Sequence, residues 1–493
     1  MRILNFKTSI LAAVSLLALA SCANNTFKNE NIVIAGKDEI KDSMQYLQND
    51  RIKLGIDLNL GGAVTFLSDK ENGGENMINS FDWGRQIQMS YYSGPWPYIG
   101  PKGETPTPEW QGLGWNPIQS GDAGNHRSKL ISFEKRGDKS LFVRSIPMQW
   151  PHKTGVACEC EFQTLYTLED NIITMEATIV NNRADTTQYR ACTQEMPAIY
   201  TNGVWYQVVT YLGDKPFQGE ATTIVVDKND GKGWPWVHFY TPENWVALLD
   251  SKGMGIGVFQ PEVMRFNAGF HPNDATKGFG GEKDGQTGHI APTGTQILDH
   301  NIKWTYKTTF ILGNENQIRT YAKENRAVKA NPSWSFENSR NMWHYEGECK
   351  DKGFPIKDGL DITFKKGAKI VSPITYWKAE ENPYLEFEAK ITGKSPEMNI
   401  AVEVQPVGKS DFTDWLNWSE GENTVEAEKQ AKATNFPSIA AIKINQQVKS
   451  DGNTQRYRIP LKDITGYTGA MKSLKIVLQD DGTAILKNIK LTK

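Results

Sequence analysis

The chain has 493 residues, with 55 Lys+Arg against 57 Asp+Glu and a formal net charge of −2. That balance lacks the basic excess of a phosphate-tracking protein, so no nucleic-acid partner is expected. The length exceeds what one hydrophobic core usually supports, which makes two folded domains the expectation.

Arg2 and Lys7 precede an apolar run from Ile10 to Ala20, and the run ends Leu19-Ala20-Ser21-Cys22. It is too short to cross a bilayer, and the order basic, apolar, small is that of a secretory signal over residues 1–21. The Leu-Ala-Ser-Cys ending resembles the lipobox of bacterial lipoproteins. That resemblance implies lipidation of Cys22, placement on the cell envelope and membrane contact through the lipid alone. Residues 22–50 then form the lipidated start and a tether, polar from Ala23 to Asn31.

From Asp82 to His126 the chain gathers Trp83, Trp96, Trp110 and Trp115 among Arg85, Gln86, Gln88, Tyr91, Tyr92, Asn116, Gln119, Asp122, Asn125 and His126. A sugar ring offers apolar C–H faces that stack on aromatic rings and a hydroxyl rim that needs donors and acceptors, so this mixture points to carbohydrate. The Gly/Pro-rich run Ser93–Pro108 reads as a long loop, and long loops in compact domains are more often functional than filler. The expected substrate-binding set is Arg85, Gln88, Tyr91, Tyr92, Trp96, Trp115, Asn116, Gln119 and His271.

Further on, Ile173, Met175, Ala177 and Ile179 alternate with polar residues after the turn-forming Glu169-Asp170-Asn171, which predicts a hairpin of half-buried strands. Cys158, Cys160, Cys192 and Cys349 remain after Cys22. An oxidising compartment permits a disulfide, Cys192 with one of the nearby pair, and buried free thiols are the alternative. A helix of useful length is predicted only over Gln317–Asn325. A boundary follows near Ala327–Ser335. Beyond it, alternation returns in Leu385, Phe387, Ala389 and Ile391, in Ile400, Val402 and Val404, and in Leu474, Ile476 and Leu478. The fold class is therefore all-β with large antiparallel sheets.

Three stretches carry a family resemblance: Leu54–Leu58 with Gly61–Leu67, Asp82–Gln88, and Leu165–Ile179 with Asn181-Asn182. They resemble the opening strands, the pocket arginine segment and the strand pair before the catalytic histidine of the galactose mutarotase superfamily. The resemblance implies a β-supersandwich over residues 51–328, with Arg85 in a sugar pocket. Residues 336–493 resemble the jelly-roll sandwiches that serve as carbohydrate-binding modules, with Trp377, Trp415 and Trp418 as candidates for stacking on sugar. Where mutarotases carry their histidine this chain reads Thr193-Gln194-Glu195-Met196-Pro197-Ala198, which argues against simple mutarotation and toward carboxylate chemistry.

Hydrolysis of a glycosidic bond usually takes two carboxyl groups, and Glu195, Glu262 and Asp122 are the candidates. A lyase acting on uronic acid would instead need a cation such as Arg85 and a base such as His126, His152 or His271. Asn273–Gly288, with Asp274, Glu282 and Asp284, lacks EF-hand spacing and reads as a loop over the pocket, so neither metal nor cofactor is expected. The leading expectation is a lipid-anchored glycoside hydrolase acting on a poly- or oligosaccharide beside other polysaccharide-utilisation proteins. The rivals are a polysaccharide lyase, an epimerase and a non-catalytic glycan-binding lipoprotein.

Overall fold

Side-chain alternation builds the architecture. The strand Ile172–Asn181 pairs with Cys160–Glu169 through a tight turn that sets Ile172 opposite Glu169, and Ile173, Met175, Ala177 and Ile179 are fully buried on one face. The computed structural model describes residues 40–228, 236–271, 280–326, 331–407 and 440–493. The signal segment, Cys22, Asp274, Trp415, Trp418 and positions 327–330 of the expected boundary lie outside the described residues.

That hairpin lies inside a nine-stranded antiparallel sheet, beside its central strand Lys303–Asn314. A seven-stranded sheet runs in the spatial order Val237–Tyr240, Arg265–His271, Thr287–Gln296, Cys192–Asn202, Gln88–Ser90, Pro117–Ile118 and Met148–Gln149. The two sheets share one core. Met89, Met196, Ile199, Phe239, Phe266, Ala268 and Ile290 of the smaller sheet meet Val143, Phe162, Tyr166, Met175, Ala177 and Phe310 of the larger. A three-stranded sheet from Met44 to Asp69 adds to this core.

The helix Glu315–Asn325 begins two residues before its expected start, because Asn314 accepts from Gln317 N while the Gln317 side chain accepts from Asn314 N. Its Ile318 and Ala322 pack with Trp245, Ala247, Leu249 and Ile311 in a separate apolar cluster. A Cβ at Gly257 would stand 2.3 Å from Ile318 Cγ2, so only glycine lets the helix lie this close.

A second core runs from Phe336 to Leu491 and takes in Ala191 and Ile297 of the preceding strands. Its long strands Tyr384–Pro406 and Ile442–Pro460 pair antiparallel, and every apolar position of the expected alternation, from Leu385 to Leu478, is buried. Trp377 is core rather than a sugar platform: it is 2% exposed and its indole N–H donates to Tyr467 Oη at 3.1 Å.

Cys158 and Cys160 are bonded to each other, which corrects the expected pairing with Cys192. Cys160 enters the nine-stranded sheet opposite Asn181, whereas Cys192 starts a strand of the other sheet opposite Gln296. Cys192 and Cys349 are free thiols.

The two cores are joined by a buried ionic knot. Arg340 gives Nε and Nη2 to the Asp351 carboxylate at 2.5 and 2.6 Å and Nη1 to Asp299 at 2.6 Å. Tyr345 Oη, Gln188 Nε2 and the Phe354 and Gly353 amides satisfy the remaining oxygens. Arg340→Ala would leave both carboxylates buried without a counter-charge, a loss of about 3–5 kcal/mol. Urea denaturation should show that loss. Arg456→Ala, which removes an exposed partner of Glu388, should leave the curve in place.

Candidate functional site

One face of the seven-stranded sheet must bury in the sandwich, so the other collects its polar side chains. On Arg265–His271 the core takes Phe266, Ala268 and Phe270 and leaves Arg265, Asn267 and His271 on the opposite face. Cross-strand register carries that face through His238, opposite Asn267, and His289, opposite Gly269 and Tyr200. Along Cys192–Asn202 the register gains one residue between Glu195 and Ile199, against both neighbours. This bulge switches parity, so Met196 and Ile199 enter the core while Glu195 and Tyr200 share the polar face.

Glu195 is the centre of this face. It is 5% exposed, and its Oε2 accepts from Tyr92 Oη at 3.1 Å, which in turn accepts from Ser90 Oγ at 3.1 Å. Its Oε1 has no hydrogen bond and looks toward His289 Nε2 at 3.8 Å. Burial pushes the Glu195 carboxyl up to about 7, against the lowering effect of its hydrogen bonds with Ser90 and Tyr92. Burial pushes His289 the other way, down to about 3, so the imidazole is neutral near neutrality. The His289 ring lies 4.4 Å from the Tyr200 ring and 4.7 Å from that of Trp236, centroid to centroid. The result is a carboxyl that can give or take a proton near pH 7, beside a neutral imidazole, a phenol and an aromatic wall.

Of the expected site residues, the structure brings Tyr92, Arg85, His271 and the fully bonded Gln88 to the face that holds Glu195. Arg85 acts electrostatically on Tyr200 and is tied to Asp82 at 3.4 Å and to the Gly285 carbonyl at 2.7 Å. His271 ends its strand opposite Thr287. Glu262 is exposed and lines a cavity of about 880 Å³ whose walls include Trp304, Trp334 and Tyr376 but not Glu195. The expected carboxylate pair is therefore not brought together.

Much of the Asp82–His126 segment is scaffold, which corrects its expected role. Tyr91 points into the core against Phe162, because alternation turns it away from Ser90 and Tyr92. Trp115 is fully buried under the Arg183 guanidinium at 4.8 Å. Gln88 donates to Trp83 O and accepts from Ser120, Asn116 donates to Tyr91 O, and Gln119 donates to Gly61 O and Thr164. Asp122 is fully buried and accepts from the Gly124, His126 and Gly155 amides and pairs with His126 Nδ1 at 3.0 Å, so both residues shape a turn. Trp96 stacks under Arg190 at 4.7 Å and meets Tyr189 edge-on. His152 is buried against Tyr98. Glu282 accepts from Asn76 and Asp284 from the Gly280 and Gly281 amides, and no cluster of metal-binding side chains occurs among the described residues.

The residues that sequence reasoning missed are His289, Tyr200, Trp236, His238 and Arg265. A usable signal was present in Arg265–His271, whose polar alternates are Arg, Asn and His rather than the Lys, Glu and Thr of a solvated strand.

No protein-family model matches the chain, and no curated protein sequence matches it. Among solved structures it is similar to a candidate aldose 1-epimerase from Escherichia coli K12, at 12% identity over 55% of this chain and 98% of that one, with a TM-score of 0.35. It is similar also to a galactose mutarotase-like protein from Lactobacillus casei, at 13% identity over 55% and 99%, with a TM-score of 0.34. A third is a family 11 carbohydrate-binding module from Clostridium thermocellum, at 12% identity over 34% and 91%, with a TM-score of 0.19. The chemistry of the site rests on the chain's own residues.

The opposed shifts of Glu195 and His289 set a pH signature. The folded state holds the Glu195 proton up to about 7 where the free carboxyl loses it near 4.5, so this group's stabilisation declines as pH rises through that window. His289 is folded at about 3 and free at 6.5, so its contribution declines as pH falls from 6.5 to 3. Between 4.5 and 6.5 the two slopes oppose each other. Glu195→Gln removes the first, and its stability relative to the wild type should rise by roughly 3 kcal/mol from pH 4.5 to pH 7. Urea titrations at the two ends of the window would check this, and a constant difference would refute the buried acid.

Proposed function

We propose that the chain is a carbohydrate-active enzyme that receives a saccharide on the polar face of the seven-stranded sheet and cleaves a glycosidic bond with Glu195 as its acid–base group. The observation that carries the reading is the buried Glu195 carboxyl, raised to about 7 and held by Tyr92. A carboxyl with that pKa is half protonated near neutrality, where a proton donor to a glycosidic oxygen works best. The Tyr200 and Trp236 rings, packed against His289, give this face the aromatic character that suits the apolar side of a pyranose. Hydrolysis by a carboxylate pair is the less favoured form of the reading, since Glu262 lines a cavity that does not include Glu195. As further parts of the proposal, residues 51–328 act as the catalytic domain and residues 336–493 as a glycan-binding one. Lipidation at Cys22 would hold both on the cell envelope, next to other polysaccharide-utilisation proteins.

The test is incubation with a panel of plant, algal and host polysaccharides, following new reducing ends together with the ultraviolet absorbance of an unsaturated uronate. Reducing ends alone would identify a hydrolase, and both signals a lyase. Glu195→Gln should lower turnover by about 100-fold to 10,000-fold while glycan affinity is retained. For the wild type, activity that needs the protonated carboxyl should fall tenfold per pH unit above about 7. Retention of the protein by a glycan with neither signal would make it a binding protein and overturn the catalytic role of Glu195.

A further inference from the structure

Arg265 is a buried cation. It is 7% exposed, and among the described residues no carboxylate pairs with it. Its Nη1 donates to Thr193 Oγ1 at 3.1 Å, its Nη2 stands 3.5 Å from His238 Nδ1, and its Nε has no hydrogen bond. The other buried arginines are satisfied differently. Arg340 lies between Asp299 and Asp351, and Arg183 donates to the Gly94 and Leu298 carbonyls and lies over Trp115. An unpaired buried charge costs several kcal/mol, so a fold that keeps one has a use for it.

Among the described residues, the groups packed on Arg265 do not supply the counter-charge. His238 is 5% exposed, its Nε2 has no hydrogen bond, and burial together with Arg265 keeps the ring neutral. From the second core, His344 feels the Arg265 charge, and the Lys472 ammonium lies 4.2 Å over the ring of Tyr240, the cross-strand partner of Arg265. Glu346, the acid that acts on His344, is already held by Lys475 and Lys369. The guanidinium ends beside Thr193, two residues from Glu195 along one strand face, which is about 7 Å. That is the reach of a substituent on the sugar at Glu195 or on the next one.

We propose that Arg265, with His238 and Thr193, forms an oxyanion subsite that grips the carboxylate or sulfate of an acidic saccharide. A guanidinium with a free edge binds either group through paired N–H donors. The inference rests on the reading that a saccharide occupies the Glu195 face, and it narrows the substrate to an anionic one.

The test is affinity electrophoresis of the full chain against matched polymers: polygalacturonate and its methyl ester for the carboxylate, chondroitin sulfate and desulfated chondroitin for the sulfate, and a neutral glucan. The expected result is a preference of at least about tenfold for one anionic member over its uncharged or desulfated match, lost in Arg265→Met and partly restored in Arg265→Lys. The first pair showing the preference would name a uronate, the second a sulfate ester. Equal binding of anionic and neutral polymers, or full anionic preference in Arg265→Met, would overturn the subsite and leave the Glu195 reading standing. Binding to none of the polymers would overturn both.

Discussion

Everything in the candidate site depends on one constraint: the seven-stranded sheet has to give a whole face to the sandwich core. Because side chains alternate, whatever polar residues these strands carry are driven to the other face, where they meet whether or not they are close in sequence. The one-residue gain in register after Glu195 refines this. Without it, Glu195 and Tyr200 would point to opposite sides, and the carboxyl would lose the aromatic wall formed around His289.

The same constraint explains why the amide-rich Asp82–His126 segment reads as a sugar site and behaves as a scaffold. Irregular chain that packs against a sheet leaves backbone carbonyls and amides without ladder partners, and these must be satisfied before they can be buried. Gln88, Asn116, Gln119 and Asp122 do that work: each is buried, and each is bonded to backbone groups. Composition cannot separate the two uses, since an amide that binds a sugar hydroxyl and one that binds a carbonyl are the same residue. Orientation separates them, and orientation belongs to the fold.

Much of the fold was legible because it is periodic. The hairpin at Ile172–Asn181, the strands from Leu385 to Leu478 and the single helix near Gln317 follow from local pattern, and the fold class follows from the near absence of helical pattern. Glu195 was legible as an oddity at one position. Of its companions, Tyr92 was legible and His289 was not, since His289 lies 94 residues later and faces it only because Thr287–Gln296 pairs with Cys192–Asn202 across the bulge. The Glu195–Glu262 pairing failed for the same reason: Glu195 lies mid-strand on the polar sheet face, while Glu262 lines a cavity that Glu195 does not share.

Burial does more than collect these groups; it sorts their charges. A low-dielectric setting disfavours every ionised form, so it raises the carboxyl of Glu195 and lowers the imidazoles of His289 and His238. A guanidinium is the one group that cannot take this exit, because it keeps its proton at any accessible pH. Near neutrality the face therefore holds neutral imidazoles, a half-protonated acid, the fixed charge of Arg265 and that of Arg85, which is tied to Asp82. Its field is positive, and more so when Glu195 is protonated. An anionic ligand at Arg265 would stabilise the protonated form of Glu195 further and move its titration upward, so that binding charge at one end of the face readies the acid at the other.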